Sequence, residues 1–118
     1  MTQSELRQAD YLSHILEAVS LARSYVEGIN KTDFLRDKKT QQAVILNIMV
    51  IGEAATKLAD EYPEFVSRFP QVQWKSMRGM RNRLAHGYFD INLDVVWETV
   101  IQALPELEDQ IRQIQQAL

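Results

Sequence analysis

The chain contains no cysteine, so disulfides, a thiolate nucleophile and zinc–thiolate sites are excluded together. The absence fits a reducing, cytoplasmic setting. Glycine and proline are scarce, at 4 and 3 of 118 residues, which leaves little room for a turn-rich β fold. The longest apolar run, Ala43 to Ile51, is interrupted by Asn47 and is too short to cross a bilayer, so no membrane partner is expected. Met1-Thr2-Gln3-Ser4-Glu5 turns polar at once and does not read as a signal peptide. Histidine is nearly absent, with His14 and His86 alone, so few side chains are available to move a proton near neutral pH.

What is present is ordinary for a globular protein. Hydrophobic residues make up 46% and charged residues 25%. At this length residues 1–118 read as a single domain, large enough for a core and small enough that oligomerisation would help. The net charge of −3 argues against a protein that coats nucleic acid electrostatically. The charge is unevenly placed. Lys75, Arg78, Arg81 and Arg83 lie within one acid-free stretch, whereas Asp90 to Asp109 carries acids and no lysine or arginine. A small basic site in an acidic body suits a local phosphate contact better than a long nucleic-acid track.

Hydrophobic periodicity is helical throughout. Leu12, Ile15, Leu16, Val19, Ala22, Val26 and Ile29 form one stripe, with Ser4 placed to N-cap the helix and Gly28 near its end. Thr32 or Asp33 is placed to cap a short helix through Phe34 and Leu35. A second long helix is predicted from about Lys39 to about Asp60. Its middle is apolar on every side, so it should be central in a bundle or covered by another subunit. Glu53, beside small residues in this stretch, reads as a buried carboxylate in need of a partner, or equally as a surface glutamate. Pro63 should open a short helix to about Arg68. A third long helix should run from about Gln73 to about His86 and stop at Gly87. Asn92 or Asp94 should cap the last helix. Its stripe is Leu93, Val96, Trp97, Val100, Ile101, Leu104, Leu107, Ile111, Ile114 and Leu118, with a kink or restart at Pro105. The expected fold is all-α, an up-and-down bundle of about four long helices with short connecting helices.

The segment from Met80 to Tyr88 concentrates the chemistry. It holds the permanent cation Arg81, the amide of Asn82, a second cation Arg83, the imidazole of His86 and the phenol of Tyr88. A proton-moving group beside a fixed cation suits phosphate-ester chemistry. In a regular helix Arg81 and His86 point roughly 140° apart. They would meet only if the His86 side chain swings back at the helix end, or if a second subunit brings another such pair close. The plainer account is a solvated arginine face with a histidine at the negative end of the helix dipole.

Arg81-Asn82, His86-Gly87 and Tyr88 resemble the Arg-x4-His-x-Tyr motif of the HepT-like branch of the HEPN superfamily. Further blocks are similar in order: Ile51-Gly52-Glu53-Ala54-Ala55 with Lys57-Leu58, then Trp74-Lys75 and Met77-Arg78-Gly79-Met80, then Tyr88-Phe89-Asp90-Ile91-Asn92 with Val96-Trp97. They span the chain from about Val44 to Leu107. The resemblance implies a HEPN-like helical homodimer with paired motifs facing a cleft. It implies a metal-independent endoribonuclease without a cofactor, the toxin of a type VII toxin–antitoxin pair. It also implies a cognate minimal nucleotidyltransferase antitoxin that adenylylates Tyr88.

On that resemblance His86 would act as proton acceptor for the RNA 2′-OH, or in its charged form as donor to the leaving 5′-oxygen. Arg81 would hold the nonbridging phosphate oxygens. Asn82 would bind phosphate or fix the imidazole tautomer. Glu53 would orient Arg81 or His86. Lys75, Arg78 and Arg83 would guide RNA phosphates, against the plainer reading of a charged face. Trp74 and Trp97 read as core rather than stacking platforms, His14 as structural or exposed, and the carboxylates form no cluster suited to a metal. The rival reading is a non-catalytic helical module that uses the same residues to hold a nucleotide, an RNA end or a partner.

Overall fold

The computed structural model describes residues 1–87 and 90–118. They contain helices and connecting turns and no strand. Helix α1 is Gln3–Tyr25, α2 Lys31–Leu35, α3 Lys38–Glu61, α4 Pro63–Ser67, α5 Trp74–His86, α6 Leu93–Glu98 and α7 Leu104–Ala117, with a π turn at Thr99–Ala103 between the last two. The all-α bundle expected from periodicity is present, and α3 and α5 begin and end within a residue of the predicted limits.

Capping chemistry sets several of these boundaries. Helix α1 starts from Thr2 and not Ser4: the Thr2 hydroxyl accepts from the Glu5 N–H, and the Glu5 carboxylate accepts from the Thr2 N–H. These bonds favour the charged carboxylate and hold Glu5 below its usual range. The same reciprocal box opens α2, where Asn30 is the cap and Asp33 its third residue, in place of Thr32 or Asp33 as caps. Asp37 caps α3 by accepting from the Thr40 N–H and hydroxyl, and these contacts hold its carboxyl below the usual range. Asn92 caps α6 as expected. The turn after α1 needs the left-handed backbone that Gly28 supplies, at φ 79°.

Pro105 restarts the last helical run without a break, in the first turn of α7, as expected. It lacks an N–H, and in an α-helix its ring would press on the carbonyl four residues back. The backbone widens there instead, with the Leu104 N–H donating five residues back to the Thr99 carbonyl. The wider turn also resets the stripe. Val100 and Leu104 are buried, whereas Ile101, expected in the core, is 43% exposed, and Leu118 also lies on the surface.

The long helices pack in the spatial order α5, α3, α1, α7, each antiparallel to the next. Arg7 and Tyr11 at the start of α1 join Glu61 at the end of α3. Arg23 at the end of α1 pairs with Glu108 early in α7. Val44, Ile48, Ala55 and Leu58 of α3 lie in a shared core with Leu12, Ile15 and Val19 of α1 and Ile111 and Ile114 of α7. Helix α3 is long and apolar enough by composition to cross a membrane, yet these residues are buried inside the bundle. Short helix α2 adds Phe34, fully buried, with its ring 5.3 Å from Trp97. Helix α5 therefore rests mainly on α3. On its other side a groove of about 400 Å³ opens toward α6 and α7, lined by Ile51, Met80, Arg83, Val95, Leu104 and Leu107 among others.

Candidate functional site

The α3–α5 seam is built around a glycine. A Cβ on Gly52 would fall 2.4 Å from the Arg81 Cβ and 2.7 Å from the Met77 carbonyl oxygen, so only glycine lets α5 come this close. The close approach puts the Arg81 side chain against the surface of α3. Its Nη1 donates to Glu53 Oε2 at 2.6 Å and its Nη2 donates to Thr56 Oγ1 at 3.4 Å. The Nε–H is shut off from solvent and has no partner among the described residues. An anion therefore reaches Arg81 only at its two terminal amino groups, each of which keeps a second hydrogen.

Glu53 is not buried. It lies on the outward stripe of α3 with Leu46, Val50 and Lys57, and its side chain is 52% exposed against 25% for Arg81. The partner it requires is Arg81, and the charge it balances belongs to the candidate site. Arg78, one turn earlier, is also committed to α3: its Nη2 donates to Asp60 and, at 3.4 Å, to the Thr56 carbonyl.

His86 is the last residue of α5, which stays regular to its end, with Gly87 closing it through a bond to the Arg83 carbonyl. The imidazole makes no hydrogen bond to Arg81, whose partners are Glu53 and Thr56. It stands exposed on the face that also carries Asn82 four residues earlier and Lys75 three turns earlier, roughly 140° from the direction of Arg81. Arg83 leans toward the groove, with Nη2 3.6 Å from the Met80 sulfur. Among the described residues the side-chain hydrogen bonds of α5 belong to Trp74, Arg78, Arg81 and Arg83, leaving Lys75, Asn82 and His86 facing outward. Tyr88 lies outside the described residues. Trp74 is core, its Nε1 donating to the Phe69 carbonyl, Trp97 is half-buried on Phe34, and His14 is exposed.

One chain thus brings Arg81 together with Glu53 and Thr56, and His86 together with Asn82, but does not join the two sets. Sequence reasoning missed Thr56. The available signal was its place three residues after Glu53, on the same side of α3. Next to the His86 end of α5, the antiparallel seam places the part of α3 that carries Leu46, 61% exposed, and Val50, 38% exposed. This is an apolar surface that none of the described residues covers.

A family model described as Ribonuclease HepT-like matches residues 15–114. A protein of Caldanaerobacter subterraneus subsp. tengcongensis named as a candidate RNase is 39% identical over 106 residues, covering 90% of this chain and 92% of its own. A Methanocaldococcus jannaschii protein named in the same way is 38% identical over 109 residues, with 89% and 88% covered. A protein of Thermococcus cleftensis named as a probable ribonuclease HepT is 36% identical over 105 residues, with 89% and 93% covered. No solved structure matches.

Proposed function

The chain belongs to the HepT-like ribonuclease family, and on that premise we propose that it is an endoribonuclease toxin whose site is completed across a homodimer. The observation that carries this reading is the separation within one chain. Arg81 is pinned to Glu53 on α3, while His86 stands exposed on another face of α5 beside the uncovered Leu46 and Val50. Two copies packed over that apolar surface bring His86 of one subunit toward Arg81 of the partner subunit.

RNA supplies its own nucleophile. Neutral His86 accepts the proton of a 2′-OH as the oxygen attacks the adjacent phosphorus. The terminal amino groups of Arg81 hold the nonbridging oxygens as charge builds. The bond to the 5′-oxygen breaks, that oxygen takes a proton from water, the hydroxide so formed takes the proton held by His86, and a 2′,3′-cyclic phosphate remains. Asn82 shares the face of His86 and supplies an amide donor to the same phosphate. Control rests on Tyr88: a cognate nucleotidyltransferase joins its phenolic oxygen to the α-phosphorus of ATP and releases pyrophosphate. An added AMP two residues from His86 opposes RNA by bulk and charge.

One cleavage experiment tests both parts. Purified protein is incubated with tRNA and total RNA in EDTA, as parent, as His86→Ala, and after treatment with the cognate nucleotidyltransferase and ATP. The parent cleaves. His86→Ala is slower by at least about a hundredfold with unchanged circular dichroism. The treated protein gains one AMP on the Tyr88 peptide and is silent. Parental rates in His86→Ala remove the catalytic assignment. Modification mapped elsewhere, or none, removes the control.

A further inference from the structure

The outward face of α5 carries Lys75, Gly79, Asn82 and His86 at spacings of four, three and four, a line about 16 Å long. The helix contains no acidic residue. Its cations are sorted by their partners. Arg78 is held by Asp60 and Arg81 by Glu53, and Arg83 leans to the groove beside Met80. Lys75 is exposed and joins no ion pair among the described residues.

Gly79 sits in the middle of this line without a reason among the described residues. Its φ is not positive, and among the described residues a Cβ there would meet only Arg83 Nη1, at 3.7 Å. Gly52 is the opposite case, a glycine required by its own neighbours. A glycine in mid-helix weakens the helix relative to alanine, so one with room for a Cβ among the described residues marks where something outside the chain comes close.

We propose that Lys75, Gly79, Asn82 and His86 form the track on which one RNA strand lies. Its sugar–phosphate backbone presses on α5 at Gly79, and Lys75 meets a phosphate removed from the one at His86. A line one residue wide suits a single backbone, and the acid-free helix suits its charge. Of the three cations expected to guide RNA, the track uses Lys75 and leaves Arg78 to Asp60. The inference rests on the ribonuclease reading and deepens it.

The test is fluorescence anisotropy with a fluorescein-labelled, single-stranded, fully 2′-O-methylated oligoribonucleotide, which lacks the internal nucleophile and so reports binding alone. Parent, Lys75→Ala, Gly79→Ala and Gly79→Leu are titrated over a salt series. Lys75→Ala weakens binding and reduces the log–log salt slope by about 0.7. Gly79→Leu weakens binding by at least about tenfold and Gly79→Ala by less. Both glycine variants unfold at or above the parental temperature, because a longer side chain meets open space and favours helix. Parental affinity in Gly79→Leu overturns the track. Sedimentation showing Gly79→Leu monomeric where the parent is dimeric also overturns it, and gives the face to a second copy. A parent that cleaves RNA while every variant binds normally removes the track alone. A parent that neither binds nor cleaves RNA removes the ribonuclease reading itself.

Discussion

Arg81 is oriented by neighbours that contribute little to stability. Its ion pair with Glu53 is half open to water, and exposed pairs of this kind are worth about 0–1 kcal/mol. Orientation of a guanidinium against a phosphate matters far more to a transition state, because a small misplacement is felt directly in the rate. Glu53→Gln keeps the shape and removes the charge. We expect urea denaturation to show a change of no more than about 1 kcal/mol. Single-turnover RNA cleavage should fall by about tenfold or more. A variant that loses stability while cleaving at the parental rate would make the pair a fold contact only. The residue types of this site were legible in the sequence, and so was the wide angle between Arg81 and His86, since helix periodicity alone fixes it. The Thr56 contact was not, because it joins residues 25 apart through the way two helices meet.

Helices were legible where a side-chain pattern repeats and less so where one residue decides. The apolar stripe of α1, and most of the stripe that runs from α6 into α7, followed directly from three-and-four spacing. The starts of α1 and α2 did not, because Thr2 and Asn30 each answer to an acidic residue three positions on, and the nearer Ser4 and Thr32 compete as plausible caps. Ile101 was misplaced because a π turn ahead of Pro105 shifts the register of the stripe. Gly52 shows how one small residue sets the relation between two elements. Alanine there would improve the intrinsic helix preference of α3, yet its Cβ would overlap Arg81 and the Met77 carbonyl. Backbone cannot move aside as a flexible side chain can, so α5 must shift. Gly52→Ala should therefore lower stability by about 1–3 kcal/mol in chemical denaturation. An unchanged midpoint would mean that the seam has slack.

At the scale of the whole molecule, the decisive question is whether one chain or two make a site. Helix α3 buries one side in the bundle and shows Leu46 and Val50 on the other, close to where α5 ends in His86. An isologous dimer over this surface would present two α5 ends to one cleft and two arginine–histidine sets in exchange. Mixing variants separates the alternatives without a structure of the complex. His86→Ala and Arg81→Ala are each expected to be inactive alone. On the shared-site reading, a mixed dimer holds one intact site, with Arg81 from one subunit and His86 from the other, and one site lacking both. After unfolding and refolding an equal mixture, half of the dimers are mixed, and cleavage returns to about a quarter of the parental rate. If each chain carries its own complete site, mixed dimers contain no intact pair and the mixture stays inactive. Light scattering on the same samples fixes the subunit count, so a silent mixture of true dimers would place the site within one chain. That outcome would require Arg81 to leave Glu53 and turn toward His86 when RNA binds.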